Sequence, residues 1–208
     1  MKHLFNAGIA TALFFVFCAV VHLPYFFLTR LHVIEPCASM SMTISILGTM
    51  ICIVEVIYFG YLLARANLDC SAKGAVWSIL LVPAFSALER IGNIVAGSCS
   101  GGAFAEWWAA QSFWVGGISS FFSAVAVVAL VWLGLSVSKS KSRFAMIMSF
   151  VVAYEAFLTL LLWSVLSPTV AISRGVYTAV LLQYYIVWPL FYVSLAHYFR
   201  SYGVAQKC

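Results

Sequence analysis

The chain has 208 residues, 64% of them hydrophobic and only 8% charged, with a formal net charge of +5. A water-soluble domain is about half apolar and needs a charged surface, which 11 basic and 6 acidic residues do not supply here. With a mean hydropathy of +1.06, the composition excludes a soluble enzyme and leaves a chain whose side chains mostly meet lipid or one another.

A bilayer core is crossed by about 20 apolar residues in helical form. Six such runs are present, at about 4–28, 41–64, 75–96, 109–135, 144–166 and 174–199. The first follows Met1-Lys2-His3 and is longer than the apolar part of a signal peptide. No small-x-small cleavage site follows it, so it is expected to span. Between neighbouring apolar helices the hydrophobic effect sets no preferred face; small and polar residues do, because they allow close approach and hydrogen bonds. At alternating three- and four-residue spacing the first run carries Gly8, Thr11, Phe15, Cys18, His22, Tyr25 and Thr29 on one face. Arg30 to Pro36 ends it.

The second run presents Ser41, Ser45, Gly48, Cys52 and Glu55 in the same way. Arg65-Ala-Asn-Leu-Asp to Lys73-Gly74 separates it from the third, which presents Ser86, Arg90, Asn93 and Gly97, with Glu89 alongside. Pro83 lies six residues before Glu89, where a kink would open space beside Glu89 and Arg90. Gly97 to Gly102 reads as a loop. The fourth run carries Ser112, Gly116, Ser119, Ser123 and Ala126, read as a seam for tight packing. Lys139, Lys141 and Arg143 precede the fifth run, which holds Glu155 near the midplane and stops at Ser167-Pro168. The sixth holds Gln183 and Tyr184 somewhat outside the middle, Pro189, and His197 near its end.

These elements predict an all-α integral membrane protein, a six-transmembrane-helix bundle forming a single domain over residues 1–208. Basic residues set the orientation of such bundles. Lys2, Arg65, Lys73, Lys139, Lys141, Arg143, Arg200 and Lys207 fall on the side of the termini, and Arg30 and Arg174 on the other. Both termini are therefore expected in the cytoplasm, in a plasma or inner membrane. Topology thus accounts for the positive charge, and no nucleic-acid partner is implied. Trp107, Trp108, Trp114 and Tyr25 then fall near the outer interface, where amphipathic rings are favoured.

The six cysteines show no CxxC and no Cys/His ligand spacing, so no zinc site is expected. With no GxxxxGK(S/T), HExxH or acidic metal cluster, no metal or cofactor is expected. Cys37 and Cys99 both fall in outer loops, where a disulfide between them is conceivable in an oxidising compartment.

The ionisable residues within the spans are the informative ones. A charge at the bilayer centre costs roughly 2.5 kcal/mol or more and usually faces a wet cavity or a partner. Glu89 and Arg90 are adjacent and point about 100° apart, so Arg90 needs a carboxylate from another helix, with Glu55 and Glu155 at compatible depth. At least one acid is then left protonated, facing water, or facing a cationic ligand.

The leading expectation is a protein that binds or transports a small solute through a polar intramembrane pocket. Its candidate binding residues are His22, Tyr25, Glu55, Glu89, Arg90, Asn93, Glu155, Gln183 and Tyr184. In outline, with six spans and a small-residue first helix, the chain resembles the substrate-capture subunits of vitamin uptake transporters, which implies a pocket open to the outside. One alternative is an enzyme acting on a lipid or isoprenoid with Glu55 or Glu155 as general acid. Another is an accessory subunit whose partner is a larger membrane complex.

Overall fold

A computed structural model of the chain describes residues 2–30, 38–66, 68, 70–98, 102–138, 143–162 and 174–205. Cys37 and Cys99 lie outside these residues. Among the described residues the structure is helical, without strands. The helices are α1 (Lys2–Arg30), α2 (Ala38–Arg65), α3 (Cys70–Ser98), α4 (Ala103–Ser138), α5 (Arg143–Leu160) and α6 (Arg174–Ala205). All six are long and apolar enough to cross a bilayer, the pattern of a multi-pass membrane protein.

The expected runs fall inside these helices as far as the residues are described, and α4 and α6 extend furthest beyond them. α4 begins at Ala103, six residues before the expected start. The carbonyl of Gly102 accepts the amides of Ala105 and Glu106, closing a first turn, and the carboxylate of Glu106 suits the positive end of the helix dipole. α5 runs to Leu160 and residues 161–162 continue it as a π-helical turn, while residues 163–166 lie outside the described residues. α1, α3 and α6 run through Pro24, Pro83 and Pro189. Each proline removes one helical amide donor without ending its helix.

Each helix packs on its neighbours in chain order, and α6 packs back on α1. Short connections make successive helices antiparallel, so the six form a closed up-and-down ring. The ring closes tightly at Gly8 of α1. A Cβ there would stand 2.7 Å from the Ala196 Cβ and 3.0 Å from the Tyr192 carbonyl oxygen, so the two backbones approach as only glycine permits.

The small and polar face of α1 is the one turned inward. Gly8, Thr11, Phe15 and Cys18 are buried, while Leu13, Phe17 and Val20 on the opposite side are exposed. In water this would be inverted burial. In lipid it is expected, because exposing a leucine costs nothing and burying a small residue brings helices together.

The apolar core is concentrated at one end of the ring, beside the α2–α3 and α4–α5 connections. There Tyr58, Phe59 and Leu62 of α2 meet Val76 and Ile79 of α3, Leu130 and Leu133 of α4, Val152 of α5, and Phe191, Tyr192 and Leu195 of α6. Toward the other end α3 is more open, and Arg90, Asn93 and Gly97 are exposed. The ring is therefore sealed on the side of the chain termini and looser on the other.

Candidate functional site

Above this core the ring holds a half-open cavity of about 370 Å³, lined by side chains of five helices. α2 contributes Cys52 and Glu55, α3 contributes Pro83, Ser86 and Arg90, and α4 contributes Ser119, Ser120 and Ser123. α5 contributes Glu155 and Thr159, and α6 contributes Tyr184 and Trp188. α1 stands outside the lining and supports it, packing Phe15 against Tyr184 and Tyr192 at 5.8 and 5.4 Å between ring centres.

Both carboxyls are buried and individually held. Glu55 Oε1 accepts the Tyr192 hydroxyl at 2.5 Å. Glu155 Oε1 accepts the Thr159 hydroxyl at 3.0 Å, one helical turn away, and Oε2 accepts the Trp188 indole N–H at 2.9 Å. Such bonds offset part of the cost of placing a carboxyl in a dry interior. Glu55 lies within electrostatic range of both Glu155 and Arg90, and Tyr184 within range of both acids and Cys52.

Arg90 takes a different position from the one expected. Among the described residues it forms no ion pair with Glu55, Glu89 or Glu155. Its guanidinium instead lies across α2 at Gly48, where a Cβ would stand 2.7 Å from Nη1. The same side chain lines a second pocket of about 470 Å³, with Ser45, Asn93, Gly97 and Ser98. Arg90 thus stands where the interior cavity and this second pocket adjoin, toward the looser end of the ring.

The sequence-derived residues divide accordingly. Glu55, Arg90, Glu155 and Tyr184 come together on the cavity. Asn93 shares the second pocket with Arg90, and its Oδ1 accepts the Trp108 indole N–H at 2.8 Å. His22 does not line the cavity; its Nδ1 lies 2.6 Å from the Tyr185 hydroxyl, bridging α1 and α6. Tyr25 is half-buried on α1, also away from the lining, and its carbonyl accepts the Thr29 hydroxyl. Glu89 is half-buried against α4 at Gly116 rather than in the cavity. Gln183 is absent from the lining because it precedes Tyr184, and adjacent helical residues point about 100° apart.

The structure adds to the reading of the tryptophans and serines. Trp107 and Trp114 are exposed, as interfacial rings are, but Trp108 is buried. Its ring covers Gly92 so closely that a Cβ there would stand 2.0 Å from Cζ2. The small-residue seam of α4, read as packing, places Ser119 and Ser123 on the cavity wall.

Ser120, Thr159 and Trp188 were not among the sequence-derived residues, Cys52 and Ser86 were read only as members of the polar stripes of α2 and α3, and Tyr192 joins the site through Glu55. Helical spacing from residues already singled out carried a signal for three of them. Thr159 is one turn from Glu155, Trp188 one turn from Tyr184, and Tyr192 one turn further. Among the described residues no group of three or more His, Cys, Asp or Glu side chains is placed to hold a metal ion.

No protein-family model matches the chain, and no curated protein or solved structure matches it.

Proposed function

We propose that this chain binds or transports a small polar solute in the interior cavity. It would sit in a plasma or inner membrane with both termini cytoplasmic and the site reached from the opposite side. The observation that carries this reading is the convergence of Glu55, Arg90, Glu155 and Tyr184, from four different helices, on one half-open cavity of about 370 Å³. That volume is toward the small end of the roughly 300–1,000 Å³ typical of small-molecule sites. Buried ionisable groups around an intramembrane cavity ordinarily mark a solute or ion path.

Two independent features support this direction of access. Basic residues favour the cytoplasm for the side of the termini. The apolar core seals that side, while Arg90, Asn93 and Ser98 line the pocket toward the other.

The test is a thermal-stability screen of the purified protein in lipid nanodiscs against a broad collection of small solutes, neutral, anionic, cationic and zwitterionic. A ligand at a hundredfold excess over Kd stabilises by about 2.7 kcal/mol, which reads as a concentration-dependent rise in Tm. The rise should vanish in Ser123→Leu, which fills the cavity. A well-folded sample that responds to no solute sinks the reading.

A further inference from the structure

Resting on the reading of the cavity as a solute site, we infer that its ligand is dipolar, a small solute carrying a cationic amine at one end and an acid group at the other. The lining is electrically asymmetric. Glu55 and Glu155 supply two carboxyls, held one helical turn apart along α6 by Tyr192 and Trp188, and Arg90 supplies the guanidinium toward the looser end of the ring. The guanidinium rests at Gly48 and also reaches the Cys52 side chain, seven and three residues before Glu55 on α2, which is about 5–10 Å of helical rise.

The acidic end is built to receive a cation. Trp188 and Thr159 hold one oxygen each of Glu155, and Tyr192 holds one of Glu55. A carboxylate oxygen has two lone pairs, so these bonds fix the carboxyls without exhausting their capacity to accept. Trp188 and Tyr184 also line the cavity, with ring centres 6.0 Å apart, and aromatic faces attract an ammonium group.

Arg90 offers five donors and no acceptor, in a geometry that matches a carboxylate or similar planar acid. Between the two ends, Ser86, Ser119 and Ser123 give hydroxyls to a neutral polar middle. The placement of the charges, rather than their sum, disfavours the simpler ligands. An organic cation without an acid would leave Arg90 repelling it, and an anion without an amine would meet two carboxyls in a low-dielectric space. A dipolar solute satisfies both ends.

The test uses the wild-type protein in phosphatidylcholine nanodiscs and straight-chain ω-amino acids of two to six carbons. Each is compared with the amine, the carboxylic acid and the alcohol of the same length, by calorimetry and by Tm. At the best length the amino acid should bind about tenfold tighter, or more, than any of its three partners. Arg90→Gln should erase its advantage over the amine, and Glu155→Gln its advantage over the acid. Gly48→Ala, which keeps the charge but occupies the resting place of the guanidinium, should act like Arg90→Gln. Size-exclusion profiles confirm that each variant is folded.

If the amine or the acid alone binds as well as the amino acid at every length, the dipolar assignment is overturned and the cavity remains a solute site. If no series binds but the broad screen yields a ligand of another class, the assignment is likewise overturned. If neither yields a ligand, both readings fall together.

Discussion

Tyr192 on the sixth helix donates its hydroxyl to Glu55 on the second at 2.5 Å, across 137 residues of chain. These two helices both flank α1 and do not pack extensively on each other. The bond therefore ties the ring together across its interior, at the floor of the cavity, where Tyr192 also packs on Phe15 and Tyr58. One residue both anchors an acid of the site and completes the aromatic core beneath it.

Tyr192→Phe keeps the ring packing and removes only the donor. Leaving Glu55 without it should destabilise the protein by about 1–3 kcal/mol, seen as a lower unfolding midpoint. In a double-mutant cycle with Glu55→Gln the two changes should be non-additive by about 0.5 kcal/mol or more. Strict additivity would mean that the bond contributes nothing.

Ser123→Leu separates two roles for the α4 seam. If Ser123 serves tight helix packing, the larger side chain overpacks and costs about 1–3 kcal/mol. A cavity wall predicts instead that Tm holds or rises while solute binding is lost. A marked fall in Tm returns the seam to a packing role.

His22→Phe distinguishes the cavity from the broader polar cluster. His22 pairs with Tyr185 and stands outside the lining. The substitution should leave solute affinity within about twofold, with at most the modest loss of stability expected for one hydrogen bond, about 1 kcal/mol. A tenfold loss of affinity would bring His22 back into the site.

Gly92→Ala places a methyl group where the Trp108 ring lies. Bulky ring atoms in a packed position do not give way cheaply, so a cost of about 1–3 kcal/mol is expected. The α3–α4 contact near Asn93 should loosen with it, detectable as faster proteolysis or amide exchange at that end. An unchanged Tm would show that Trp108 moves aside freely.

Cys70, free and exposed at the start of α3, reports orientation. In a variant retaining it as the sole cysteine, a membrane-impermeant maleimide should label it only after the cells are permeabilised. Labelling in intact cells would invert the proposed topology and place the pocket on the cytoplasmic side.

The inward faces of α1 and α2 were legible because spacing and residue size are local properties. Gly8, Thr11, Phe15 and Cys18 share one stripe in the sequence and one buried face in the fold. The membership of the cavity was less legible. Glu89 and Arg90, or Gln183 and Tyr184, are neighbours of similar polarity, and a rotation of one helix by about 100° exchanges them. Spacing alone does not set that rotation; packing against the flanking helices does.

Sequence by itself determined that six apolar helices form and which residues are costly to hold within them, because helix length and side-chain transfer energy depend only on local composition. Tertiary structure alone decided that the helices close in chain order into a ring and that Glu55 and Glu155 are held by Tyr192, Trp188 and Thr159. It also decided that Arg90 rests on Gly48 rather than on a carboxylate. Those outcomes depend on which backbones approach closely enough to turn particular side chains toward one another, and in lipid that is settled by the fit of small residues across helices.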